Sequence, residues 1–379
     1  MTTSPDPAVI AALQKQFAWF SGPALQDDPL YQALADCAAR HSDWAALLAA
    51  APANQRWPML WLAALQDRVM ALVDAGERPP LAEYYASVGG TRAPDAALEG
   101  LLGDFIEQHR AALEQVIATH STQTNEIGRC AVLWPILQEL VASTGPRIAL
   151  LDVGCSAGLN LGVDQWRYRY VDDATGVLLA ATHDDRDPAA PEITCRVLAG
   201  ARPSATAVPQ IVSRRGIDLA PMAVDDPVAV RWLRACLWPH DAERRRRFDA
   251  AVAIARMQRW PLSATTDAAA SIVDWLREVP GDTLPIIFDS WVLSYFEADL
   301  LRRHVDAVLA QVVGRGAVWI SADDPKLSRT WWPGKPESAA DRRPNATSWT
   351  VARPDGRGGV AWTLAATSHA HGRWMQWGA

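Results

Sequence analysis

The 379-residue chain is predicted to be an α/β protein: a doubly wound, mostly parallel sheet with an antiparallel C-terminal hairpin, preceded by an all-helical N-terminal domain. Three observations predict this. Residues 1–145 carry apolar side chains at helical spacing and show no strand-like alternation. From Ile148 onward, short apolar runs alternate with helical stretches, the pattern of a parallel sheet. Near the end, two strand-like runs flank Pro354-Asp355-Gly356 with no helix between them.

In order, Ala8–Phe20 places Ile10, Leu13, Phe17 and Phe20 on one helical face, and Leu30–Ala39, Pro58–Val73 and Ala97–Ala118 read alike. Ser21-Gly22-Pro23 and Arg78-Pro79-Pro80 punctuate them. A further helix is expected over Asn125–Val141, stopped by Thr144-Gly145-Pro146. Ile148–Val153 is a continuous apolar run suited to a parallel strand buried on both faces. Ile211–Ile217, Leu284–Phe288 and Ala317–Ser321 are further strands, with helices at Pro227–Leu237, Asp241–Met257, Ala268–Glu278 and Glu297–Val313. Gly314 and Gly316 stop the last helix. Ser348–Ala352 and Val360–Ala366 form the terminal hairpin, and Asp323–Asn345, rich in Pro, Arg and Asp, is expected to be a long surface loop. The domains are read as 1–145, helical, and 146–379, carrying the sheet and an insertion at about 166–210.

Composition narrows the function. Hydrophobic residues at 49% and charged residues at 21% describe a soluble globular protein. A net charge of −7 supplies no general attraction to polyanions, so nucleic acid is not an expected partner. No apolar stretch approaches the roughly 18–20 residues of a membrane span. The opening MTTSPDP has no basic region followed by an apolar core, so no secretory signal is expected. Five cysteines scattered singly fit neither a disulfide framework nor a zinc ribbon, so a reducing cytoplasm is the expected compartment and no metal is expected. The 18 tryptophans are read as packing groups.

The chemistry concentrates in Ile148–Leu161, where an apolar strand enters a turn of small residues, Gly154-Cys155-Ser156-Ala157-Gly158. Small residues let backbone approach a ligand closely. A dinucleotide fingerprint would need glycine at 156 and 159, where serine and leucine stand, and a phosphate-cradling loop would need Gly-Lys-Ser/Thr. The segment instead resembles the first motif of class I, Rossmann-like, S-adenosylmethionine-dependent methyltransferases, an acid followed by G-x-G-x-G. Asp152, Gly154 and Gly158 match, and Ser156 stands where the middle glycine usually lies. The resemblance implies cofactor contacts at Asp152, Gly154, Ser156, Gly158 and Asn160. Gly216-Ile217-Asp218 resembles the end of the family's second strand, implying Asp218 on the ribose. Asp267 and Ala268 resemble the third-strand end, near adenine, and Ile286–Ser290 the fourth, facing the transferring methyl.

Asp218 lies well beyond the roughly 20-residue spacing of a simple βαβ unit. An insertion over Trp166–Gln210 is therefore inferred, with a hairpin built on Trp166–Val171 and Thr194–Leu198. Asp172, at nearly the conventional spacing, is the rival for the ribose.

The chain also resembles an uncharacterised family of bacterial proteins, through Gln123-Thr124-Asn125-Glu126-Ile127-Gly128-Arg129, Ser156–Leu161, Arg214–Leu219 and Trp238-Pro239. Members tend to show His-Ser where this chain has Asp289-Ser290. Asn125 and Arg129 adjoin the presumed pocket and are cofactor-binding candidates; the alternative has Asn125 capping a helix and Arg129 pointing to solvent. Asp289, Ser290 and Tyr295 are the catalytic candidates, with Asp289 a base if burial raises its pKa; the alternative is ordinary hydrogen bonding at a strand end. Arg244–Arg247 is read as a solvated helix, His369 and His371 as surface residues, and Cys155 as chosen for small size. The expected function is methyl transfer from S-adenosylmethionine to an unidentified small molecule. The alternative is a non-catalytic binding or regulatory protein on the same scaffold, and a nicotinamide oxidoreductase is disfavoured by the failed fingerprint.

Overall fold

A computed structural model of the chain describes residues 6–22, 28–182, 187–204 and 206–378. Residues 1–5, which open the stretch read for a leader, and Pro23 lie outside them. The chain divides into two compact units: Met1–Thr124 with Asp225–Arg246, and Asn125–Val224 with Arg247–Ala379. In chain order the helices are α1 (Pro7–Phe20), α2 (Pro29–Arg40), α3 (Ser42–Ala45), α4 (Pro58–Asp74), α5 (Leu98–Thr119), α6 (Cys130–Thr144), α7 (Pro227–Ala235), α8 (Ala242–Gln258), α9 (Ala268–Glu278) and α10 (Ala298–Arg315). The strands are β1 (Arg147–Val153), β2 (Arg167–Asp172), β3 (Leu178–Thr182), β4 (Glu192–Val197), β5 (Gln210–Asp218), β6 (Leu262–Ala264), β7 (Leu284–Ser290), β8 (Val318–Asp323), β9 (Ala346–Pro354), β10 (Val360–His369) and β11 (Trp374–Trp377).

The first unit is helical. Asp6 and Asp28 cap α1 and α2, each followed by a proline in the first turn, where its missing N–H costs nothing. Phe17, Leu34, Trp61, Leu65, Leu102, Ile106 and Ile117 fill its core. The composition changes character after residue 145, yet α6 clusters with the sheet unit. The helix expected from Asn125 begins only at Cys130, because Glu126 accepts from the Gly128 N–H and sets a 3₁₀ turn over Ile127–Arg129.

The second unit is built on one eleven-stranded, mostly parallel sheet in the order β3-β2-β4-β11-β10-β9-β8-β7-β1-β5-β6. Five neighbouring strands, β6, β5, β1, β7 and β8, are mutually parallel. The chain leaves β1 towards β5 on one side and returns to β7 on the other, so the order reverses between β1 and β7. Alternation along the strands sends Ala149, Leu151, Val153, Ile287 and Trp319 into one cluster with Ile272 and Trp275 of α9 and Val305, Val308 and Val312 of α10. Ile148, Leu150 and Asp152 therefore face the opposite side. The hairpin of β9 and β10 forms as expected, and β11 adds a third antiparallel strand.

Three expectations are corrected. Trp166–Val171 and Thr194–Leu198 do not form a hairpin: β2 and β4 run parallel, and the antiparallel partner of β2 is β3. A tight turn decides this, with the Gly176 N–H bonded to the Asp172 carbonyl at 2.8 Å and Gly176 at φ 69°. Asp323–Asn345 is not a loose surface loop. The Lys335 ammonium, fully enclosed, bonds Asp341 at 2.7 Å, Asp341 also accepts from Thr367, and Trp331 enters the core cluster. A paired charge lets a polar sequence pack inside. The Arg244–Arg247 run is not solvated all round, since Arg244 in α8 is buried. Among the described residues, no helix is long and apolar enough to cross a membrane.

Candidate functional site

The site grows from the loop after β1. Gly154, Ser156 and Gly158 all adopt left-handed φ, at 75°, 51° and 67°. A side chain at Gly154 would place its Cβ 2.4 Å from a Val292 methyl and 2.6 Å from the Val292 Cβ, so close approach as well as conformation requires that glycine, whereas at Gly158 the nearest atom is the mobile tip of Leu262. Ser156 occupies the left-handed position without that freedom, in a conformation that costs an L-residue about 1–2 kcal/mol. Its N–H bonds Asp218 Oδ2 at 2.8 Å, its hydroxyl accepts from Asn125 Nδ2, and its carbonyl accepts from the Met222 N–H at 3.0 Å.

The loop's other N–H groups are also used internally. Gly154 and Cys155 both donate to the Ile217 carbonyl, Ala157 donates to Asn125 Oδ1 at 3.1 Å, and Gly158 donates to the Cys155 carbonyl. No helix follows; Leu159–Gly162 makes one 3₁₀ turn before the chain runs into β2. The loop thus offers neither a row of N–H groups nor a helix N-terminus to an anion.

Two aspartates flank it instead. Asp152, 1% exposed, faces the α6 side with an Oδ2 that makes no hydrogen bond. Burial and the neighbouring Asp218 hold its pKa well above the usual range, opposed by Arg129. Asp218 bonds Ser156 and, through Oδ1, the Ala220 N–H, and each oxygen keeps a second lone pair. Asp172, the rival, lies at the end of β2 towards the other edge of the sheet and bonds Thr175, Ala174 and Arg202. The structure brings Asp218 to the loop and leaves Asp172 away from it. Asp267 caps α9 through the Ala270 N–H, just past β6, with Ala268 as the first helical residue. Asn160 is buried, its Oδ1 meeting the Cys130 thiol. Burial raises the Cys155 thiol far above its usual pKa, in keeping with a packing role.

The Gln123–Arg129 motif is a staple. Asn125 clamps the loop rather than capping a helix. Arg129 is buried rather than solvent-facing, donating from Nε to the Ala370 carbonyl at 2.9 Å and from Nη1 to the Ser290 carbonyl and hydroxyl. The three catalytic candidates do not converge. Asp289 is fully enclosed on the α10 side, accepting from Ser321 Oγ at 2.6 Å and from Trp319 Nε1; burial pushes its pKa up to about 7 against those two bonds. Ser290 faces Arg129, and Tyr295 is 58% exposed on a separate turn.

Two residues escaped the sequence. Trp291 has a left-handed φ of 55°, held by its N–H on the Ala322 carbonyl and its indole on Thr347 Oγ1 at 2.8 Å. Nothing in the sequence signals it. Asp323 ends β8 fully buried, with its pKa raised to about 6 by burial, and its Oδ2 makes no hydrogen bond. The apolar run leading into it was the available signal. Among the described residues, no group of three or more His, Cys, Asp or Glu side chains is placed to hold a metal ion.

A family model described as an uncharacterised protein conserved in bacteria (DUF2332) matches residues 14–377. The chain belongs to this family. The DUF2332 match takes in the Gln123–Arg129 staple, the glycine loop and Asp218 together. No curated protein and no solved structure matches the chain.

Proposed function

We propose that this protein is an S-adenosylmethionine-dependent methyltransferase whose sheet unit is Rossmann-like and whose acceptor is a small molecule. The observation that carries the reading is the electrostatic character of the glycine loop. Its backbone donors are spent inside the protein, and the Asp218 side chain, with a lone pair left on each oxygen, flanks it, while burial favours the neutral form of Asp152 behind it. A pyrophosphate needs N–H donors and is repelled by a carboxylate, whereas a ligand bearing a sulfonium and an ammonium needs acceptors. The order β6-β5-β1-β7-β8, reversing between β1 and β7, puts the loop at the strand ends where open α/β sheets bind ligands.

In this reading Gly154, Ser156 and Gly158 form the surface against the methionine part, with Asn160 behind it. Asp218 is the ribose acceptor, and Asp267 with Ala268 borders the adenine. Arg129 holds Ser290 and the end of β7 in place. When bound, the cofactor supplies an activated methyl group. Asp289 has no free face, so positioning of the acceptor, rather than a dedicated base, is the protein's contribution. The same enclosure favours, as a second reading, a binding or regulatory protein that holds the cofactor without turnover. Titration with S-adenosylhomocysteine tests the site, and methyl release from labelled S-adenosylmethionine in the presence of small-molecule acceptors separates the two readings.

A further inference from the structure

We infer that Asn125 stands in for the loop's missing middle glycine: its side-chain amide holds Ser156 in the left-handed conformation, so the two residues act as one positioning unit. The amide orientation is fixed by chemistry. The Ala157 N–H can only donate, so it must meet Oδ1, which leaves Nδ2 facing the Ser156 hydroxyl. Both side chains are buried, so the bonds compete little with water. Asn125 is itself held by the next turn of chain, where Glu126 binds the Gly128 N–H and Arg129 binds Ser290 and Ala370. The Gln123–Arg129 and Ser156–Leu161 motifs are therefore two halves of one device, a backbone strain and the clamp that sustains it.

The inference rests on the proposed cofactor site for its effect on binding, but not for the clamp itself. The test uses the full chain with Asn125→Leu, Asn125→Asp, Ser156→Ala, Ser156→Gly and the Asn125→Leu/Ser156→Gly pair. Two quantities are read: amide exchange over residues 153–160, and S-adenosylhomocysteine affinity. Leucine removes both bonds, and alanine keeps the strain while losing the hydroxyl. Each is expected to speed exchange and weaken binding by about tenfold, which is about 1.4 kcal/mol. Glycine needs no clamp, so Ser156→Gly is expected to keep amide exchange over residues 153–160 near the wild-type rate, and Asn125→Leu speeds that exchange several-fold less in its background. Asn125→Asp is the conservative control, since the Ser156 hydroxyl can turn and donate; should leucine prevent folding, the difference between Ser156→Ala and Ser156→Gly still decides the clamp. Equal costs of Asn125→Leu in both backgrounds, or a Ser156→Ala that behaves like Ser156→Gly, overturns the inference. If wild type binds no S-adenosylhomocysteine, the cofactor reading fails and the exchange data still decide the clamp.

Discussion

Two strands in this sheet end on a β-branched apolar residue followed by aspartate and do different work. β5 ends in Ile217-Asp218 and β2 ends in Val171-Asp172, each before a turn. Asp218 reaches across to the neighbouring β1 loop and takes the Ser156 N–H. Asp172 folds back on its own hairpin, bonding Ala174 and Thr175. The glycines differ in the same way. Gly154 is left-handed and pressed against Val292, whereas Gly176 is left-handed with open space around it. A turn residue that serves chiefly its own hairpin is a local device; one that fixes another strand's loop builds a site.

The largest expected difference is between the glycines. Gly154→Ala adds strain of about 1–2 kcal/mol and a clash of about 1–3 kcal/mol, so the sheet unit should lose roughly 3 kcal/mol in urea denaturation. Gly176→Ala carries strain alone and should cost about 1 kcal/mol. Equal losses would remove the contrast.

Next in size is pH dependence, which should run in opposite directions in the two regions. Burial raises Asp289 to about 7, so the native state keeps a proton that the unfolded chain has already lost. Stability from this group therefore falls as pH rises from about 4 towards 7, and is flat above, by about 2 kcal/mol between pH 5 and 7. Asp289→Asn, which can still accept from Trp319 and donate to Ser321, should flatten that slope in urea midpoints. Asp172 is lowered by hydrogen bonds from Thr175, so its contribution is present above the ordinary aspartate pKa and is lost as pH falls below it. It is only partly buried and bonds chiefly within its own turn, so Asp172→Asn should barely change the curve.

The smallest stability effect separates the two acids themselves. Asp218→Ala strands the Ser156 N–H and should cost about 1–2 kcal/mol. Asp172→Ala loses bonds only to its own turn and to Arg202 and should cost less. Thermal shifts measured on both, side by side, sharpen the comparison most cheaply.

The sequence showed the parallel strands and the helices between them because each carries its own period. Ile148–Val153 and Leu284–Phe288 read directly as buried strands. β11 was missed because four residues of Trp-Met-Gln-Trp hold too little pattern, and β6 is shorter still. The glycine loop was legible as a motif, and Asp218 as its partner through the apolar strand before it. The clamp was not: Asn125 is 31 positions from Ser156, and no local period joins them. Asp289 looked like a base because its strand end was visible, whereas Trp319 and Ser321, which enclose it, come from the next strand over. Local chemistry is written along the chain; the register that spends it is not.

The most direct test is calorimetric titration of the wild-type protein with S-adenosylmethionine and S-adenosylhomocysteine, beside NAD and NADP. The account predicts micromolar binding of an S-adenosyl compound, weakened by about tenfold or more in Asp218→Ala and unchanged in Asp172→Ala, with no binding of either dinucleotide. Binding of NAD or NADP, or silence towards both S-adenosyl compounds at millimolar concentration, would contradict it.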